Sequence, residues 1–211
     1  MIPSDACGAS GDNFGRSVSV SGDYMIVGVP GDDDNGSSSG AVYVYEKDVN
    51  GIWGSEQKLT ASDGAANDWF GWSVSISGNQ LLVGAYRDED NGDDSGSVYV
   101  FKKDGNGTWG SEQKLTTSDG AVGDRFGWSV SISGNQLVVG AANDDDNGDN
   151  SGSVYVYEKD GDGFWGNEQK LMASDGTAGD NFGWSVSISG DQLVVGAHWD
   201  DDNGIASDSP K

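Results

Sequence analysis

One pattern recurs along this chain with little change: Phe126-Gly127-Trp128-Ser129-Val130-Ser131-Ile132-Ser133-Gly134-Asn135-Gln136-Leu137-Val138-Val139-Gly140-Ala141. Its Phe-Gly start falls at Phe14, Phe70, Phe126 and Phe182, a constant spacing of 56 residues. A period of this length means that one small unit is used repeatedly. Such a unit cannot bury both of its own faces, so it must stack on copies of itself, as in a solenoid or a propeller.

Each unit reads as strands. Phe70, Trp72, Val74 and Ile76 alternate with Gly71, Ser73 and Ser75, the period-two pattern of a strand with one bulky and one small face. Ser77-Gly78-Asn79-Gln80 turns the chain into Leu81-Leu82-Val83-Gly84-Ala85, a nearly all-apolar strand expected to be buried on both sides. After an acidic loop, Ser97–Lys102 gives a β-branched and aromatic strand, and Asn106-Gly107 a hairpin turn. A more polar strand, Trp109 to Leu115, suits the outer edge of a sheet.

Four antiparallel strands per unit is the make-up of a propeller blade. The sequence therefore predicts an all-β chain, a β-propeller of four-stranded blades. It forms one segment over 1–211, with repeats 14–69, 70–125 and 126–181 and a partial repeat at 182–204. The abundance of Gly (35) over Pro (3), and the absence of long apolar stretches at helical spacing, agree with this. About three and a half blades fall short of the four to eight of a closed ring. Self-association or membership of a longer propeller would complete it.

With 35 acidic against 11 basic residues the formal net charge is −24, which argues against nucleic acid as a partner. No apolar run is long enough for membrane insertion. Met1-Ile2-Pro3-Ser4-Asp5 lacks the cationic and apolar parts of a secretion signal, so a signal has been removed or the chain is part of a larger protein. Cys7 has no second cysteine to pair with.

In an up-and-down blade the loop entering the first strand and the loop joining the second and third emerge at one end. Most of the acids lie in these loops, giving one anionic rim. The second set offers oxygen at alternate positions: Asp32 and Asp34; Asp88, Asp90 and Asp94; Asp144, Asp146 and Asn150; Asp200 and Asp202. Two readings stay open: calcium or a similar hard cation held by these oxygens, or a row of solvated turns.

Phe14-Gly15 with Gly28-Val29-Pro30, and Phe70-Gly71 with Gly84-Ala85-Tyr86, resemble the FG-GAP repeat, and the resemblance covers nearly the whole chain. It implies a calcium-associated extracellular or cell-surface propeller used in adhesion or recognition, as in the head of integrin α-subunits. Integrin-type calcium loops lie between the first and second strands, whereas the acids here follow Gly-Ala, so those ligand assignments do not carry over. The chain looks more like the bacterial-type variant of the repeat.

No nucleophile with a base, no histidine or thiolate metal site and no phosphate loop is present; His198 is the only histidine. The expectation is a non-enzymatic recognition or adhesion module binding a protein or glycan. The alternative is an accessory or structural propeller of a larger secreted enzyme or surface protein. Tyr86-Arg87, Ala142-Asn143 and His198-Trp199 differ between otherwise matching repeats, as do Trp69, Arg125 and Asn181. These are candidate partner contacts, or neutral variation on loops. Trp72, Trp128 and Trp184 are expected to pack between blades or line the channel.

Overall fold

In a computed structural model, which describes residues 10–201, the chain is a row of antiparallel sheets with up-and-down connections and no helix among the described residues. The first sheet holds β1 (Ser17–Ser21), β2 (Tyr24–Val29), β3 (Ala41–Lys47) and β4 (Trp53–Leu59). The second holds β5 (Ser73–Ser77), β6 (Gln80–Ala85), β7 (Ser97–Lys103) and β8 (Trp109–Leu115). The third holds β9 (Phe126–Ser133), β10 (Gln136–Ala141), β11 (Ser153–Lys159) and β12 (Trp165–Leu171). The last is a pair, β13 (Phe182–Ser189) and β14 (Gln192–Ala197). Strand order follows chain order within each sheet, the arrangement of propeller blades, and among the described residues the row does not close into a ring.

The second and third blades are each sandwiched between neighbours, which is why their middle strands are apolar on both faces. Leu81 and Val83 of β6 join Ile26, Val42 and Val44 of the preceding blade in one core. Leu82, between them, points the other way and packs with Phe126, Val130 and Ile132 of the following blade. At the two ends of the row of described sheets the same positions are open. Val194 is 69% exposed whereas its counterparts Leu82 and Val138 are fully buried, and Val18 of β1 is 65% exposed.

The small face of the first strand has a separate purpose. The Ser17, Ser73 and Ser129 hydroxyls donate to the carbonyls of Gly71, Gly127 and Gly183 in the next blade at 2.7–2.8 Å. A Cβ on Gly28, Gly84 or Gly140 would lie 2.0–2.1 Å from those same carbonyl oxygens, so backbone meets backbone and only glycine fits. Ser19, Ser75 and Ser131 in turn accept from the N–H groups of Ile76, Ile132 and Ile188. The Phe-Gly and Gly-Ala positions of the repeat are thus the places where blades touch. First strands lie side by side, bringing equivalent residues of successive blades into register.

Candidate functional site

The loop entering each blade and the loop between its second and third strands do share one rim. They are also tied across blades: the N–H groups of Asn67, Trp69 and Phe70 donate to the carbonyls of Ser37, Ser38 and Ser39. This rim has an outer and an inner zone.

In the outer zone, acids converge on a lysine from the edge strand. Lys114 Nζ on β8 sits 2.8 Å from Asp63, 2.9 Å from Asp88 and 2.6 Å from Asp90. Lys170 on β12 repeats this with Asp119, Asp144 and Asp146 at 2.9, 2.8 and 2.6 Å. Lys58 on β4 bridges Asp32 and Asp34 at 2.7 and 2.6 Å. Asp88 is only 3% exposed and also accepts from Ser97. The Tyr99 hydroxyl lies 2.9 Å from both Asp63 and Asp88, and Tyr155 is placed likewise between Asp119 and Asp144.

The electrostatics follow from this crowding. Burial alone would raise Asp63 and Asp119; hydrogen bonds from the lysine and tyrosine, with the lysine charge, outweigh it and hold both below the usual carboxylate value. Burial would lower Lys114 and Lys170, and the surrounding carboxylates reverse that, keeping both ammonium groups charged well above neutrality. Asp68 and Asp124, deeper in the entry loops, have no such lysine. Burial, with the nearby charge of Asp88 or Asp144, pushes each up to about 6 against the N–H groups of Ala65 and Ala121 that hold them.

The spacing of oxygens along the loops is therefore only partly a grouping in space. Asp88 with Asp90, and Asp144 with Asp146, come together. Asp94 does not join them: its backbone is left-handed, at φ 52°, and its carboxylate faces Arg87 at 3.9 Å. Asn150, at φ 53°, accepts from Asn143 instead. Asp200 is on the last loop, and Asp202 lies outside the described residues. As arranged, the donors of the first three loops do not fit calcium, because the ammonium group of Lys58, Lys114 or Lys170 already sits at the focus of each set of oxygens. Among the described residues no group of three or more acids, histidines or cysteines has metal-holding geometry. The lysines escape a reading based on acids alone, though the sequence marks them: Lys58, Lys114 and Lys170 recur at the repeat spacing in a chain with only 11 basic residues.

The inner zone is aromatic. Trp72, Trp128 and Trp184 occupy one position on successive first strands and contact each other at ring-centroid distances of 5.2 and 4.8 Å. The variable residues extend this row. Tyr86 packs against Trp72 and Trp128 at 4.8 and 5.0 Å, and Trp69 against Trp72 at 5.3 Å. His198 stacks on Trp184 at 4.7 Å and Trp199 meets His198 edge-on at the same distance. Arg16, where later repeats have Trp, lies 3.7 Å from the Trp72 ring, and Arg87 lies 4.6 Å from that of Trp69. The structure thus gathers Tyr86, Arg87, His198 and Trp199 with the tryptophans into one continuous band.

Residue 69 and its equivalents carry strain. Asn13, Trp69, Arg125 and Asn181 all have left-handed backbones, with φ of 54–59°. Asparagine tolerates that region, while a bulky side chain there is uncommon and costs energy. Trp69 and Arg125 are held against that preference.

No curated protein matches the chain. A family model for the FG-GAP repeat matches residues 1–45, 53–101, 109–157 and 165–209. Its two middle matches are offset from the blades, beginning with the edge strands β4 and β8 and ending in the third strands β7 and β11 of the blades that follow. With the blade contacts formed by the Phe-Gly and Gly-Ala residues and most of the sequence matched in four consecutive units, the chain belongs to the FG-GAP repeat family.

Proposed function

We propose that this chain is a non-enzymatic extracellular or cell-surface recognition module, engaging its partner through the inner aromatic band of its acidic rim. One observation carries the reading. Several positions that differ between otherwise matching repeats gather on the Trp72, Trp128 and Trp184 row: Trp69, Tyr86 and His198 pack on its tryptophans, and Arg87 and Trp199 pack on Trp69 and His198. Aromatic and arginine side chains are also the usual anchors of binding surfaces. Membership of the FG-GAP family supports an adhesive, extracellular setting. The lack of paired catalytic groups in the sequence supports a binding rather than a chemical task.

The test is adhesion of beads carrying the chain to an extracellular-matrix surface. The double variant Arg87→Ala, Trp199→Ala is expected to lose adhesion, the Arg87 side chain being partly exposed where the neighbouring Tyr86 is buried. Asn106→Ala, in the hairpin turn at the opposite rim, should keep it. Equal adhesion by all three proteins would refute the assignment.

A further inference from the structure

The aromatic band is not uniform: at the junction of the third and fourth blades it opens into a cavity of about 460 Å³. Trp184, Trp199, Arg125, Asn143, Asn150 and Asn181 line it. Three departures from the repeat make the cavity. At the junction of the second and third blades, Arg87 lies across Trp69, bonds the Tyr86 hydroxyl through Nε at 3.0 Å and faces Asp94. One repeat later Asn143 replaces Arg87, Arg125 replaces Trp69, and Trp199 replaces Asn143. A long side chain is thereby withdrawn from the space, while an indole and a guanidinium are added to its wall.

Arg125 is the informative member. It holds a left-handed backbone at φ 59°, where the first and fourth repeats use asparagine. Its Nε is buried and has no hydrogen-bond partner. In a chain of net charge −24, a buried guanidinium nitrogen without an acceptor is unexpected. Backbone strain held by a residue whose side chain lines a cavity points to a group kept for a ligand.

The wall chemistry narrows that ligand. Two indoles offer flat apolar surface, and three amides and a guanidinium offer donors and acceptors around it. A cation would meet Arg125; an anion would meet Asp180 and Asp201 at the cavity and the field of the whole acidic rim. A neutral ring with apolar faces and a hydroxyl-bearing edge satisfies both parts. The volume lies within the roughly 300–1,000 Å³ of small-ligand clefts.

We infer that the cavity between Trp184 and Trp199 is a saccharide site that takes a neutral pyranose ring of a glycan, with Arg125 donating to a sugar oxygen. This rests on the recognition reading above and names the partner class at one part of that surface. The test titrates the full chain with the methyl glycosides of glucose, galactose, mannose and N-acetylglucosamine, and with methyl glucuronoside as the anionic arm. Binding is read by tryptophan fluorescence and by saturation transfer from protein to sugar.

At least one neutral glycoside is expected to bind saturably and more tightly than the glucuronoside. Arg125→Asn and Trp199→Ala should each weaken it at least tenfold, about the loss expected for one hydrogen bond to a charged group. Asn is native at the Arg125 position in two repeats, so that variant should fold. Asn106→Ala, in the hairpin turn at the opposite rim, should leave affinity within twofold. No saturable binding by any neutral sugar, preference for the glucuronoside, or binding indifferent to Arg125→Asn would each overturn the inference. Adhesion that still depends on Arg87 and Trp199 in those cases would leave the recognition surface standing without a glycan.

Discussion

The outer and inner zones of the acidic rim are built on the same loops and behave in opposite ways. In the outer zone Asp88, Asp90, Lys114 and Tyr99 return one repeat later as Asp144, Asp146, Lys170 and Tyr155, in the same geometry to within 0.1 Å in the lysine contacts. In the inner zone Tyr86 and Arg87 return as Ala142 and Asn143, then as His198 and Trp199. The outer residues close a charge network that ties three parts of a blade together, so a change in one leaves the others unmatched. The inner residues pack on a tryptophan row that is complete without them. A repeat fold can therefore vary its inner rim while keeping its outer rim fixed.

The sharpest break of this contrast is Lys114→Met. It removes the ammonium group from beneath Asp63, Asp88 and Asp90 and leaves the buried Asp88 carboxylate with only neutral partners. Removing one partner of a buried ion pair costs about 3–5 kcal/mol, and partial exposure of the lysine places this case near ~3 kcal/mol, or roughly 6–12 °C in Tm. Thermal unfolding measures it directly. The same variant decides whether the lysine stands where a metal ion would. Calcium should stabilise the parent no more than sodium at equal ionic strength, since both only screen the rim. In Lys114→Met calcium should gain over sodium. A calcium-specific rise in the parent would show that the lysine yields its place to the ion.

A smaller effect comes from the two kinds of carboxylate beside that network. Asp68 and Asp124 are raised from 3.8 to about 6 in the folded chain. The folded state therefore binds their protons more tightly than the unfolded state does. Their contribution is fully present below 3.8 and is lost as pH rises through about 6. Asp63 and Asp119 are lowered, so their contribution is present above the ordinary carboxylate value and is lost as pH falls through their own. The two trends predict greatest stability at a mildly acidic pH, with Tm falling from there toward neutrality. Asp68→Asn with Asp124→Asn should flatten the neutral side of that curve; an unchanged slope would show that overall charge repulsion, not these two groups, sets it.

What the sequence made legible divides along the same line. Strands, turns and blade order were readable because they rest on period-two alternation and a fixed repeat, both local in the chain. The grouping of Asp94 with Asp88 and Asp90 followed linear spacing and did not survive, because a left-handed residue turns Asp94 toward Arg87. The lysine networks join residues 26 and 51 positions apart, Lys114 with Asp88 and with Asp63, and no local pattern announces such a pairing. Tyr86, Arg87, His198 and Trp199 were visible as departures from the repeat. Their convergence on the tryptophan row was not, since it depends on how first strands align. A faint trace of the left-handed site was present: asparagine, the residue that region suits, stands at both Asn13 and Asn181.

The smallest expected effect tests the inner zone at Arg125, and its sign matters more than its size. An L-residue other than glycine or asparagine pays about 1–2 kcal/mol to hold a left-handed backbone. Arg125 returns little of this through contacts, since its guanidinium lies 5.8 Å from the Tyr86 and Trp128 rings and its Nε is unbonded. Arg125→Asn should relieve the backbone and free the buried nitrogen's site for water, raising stability by up to ~1 kcal/mol, or about 2–4 °C in Tm. Lys114→Met moves Tm the other way, so the pair of variants measures the contrast between zones in one experiment. A gain in stability at a site where binding is lost is what separates a residue retained for a ligand from one retained for the fold. If Arg125→Asn instead lowers Tm by several degrees, the inner rim is structural at this point and the division between zones fails there.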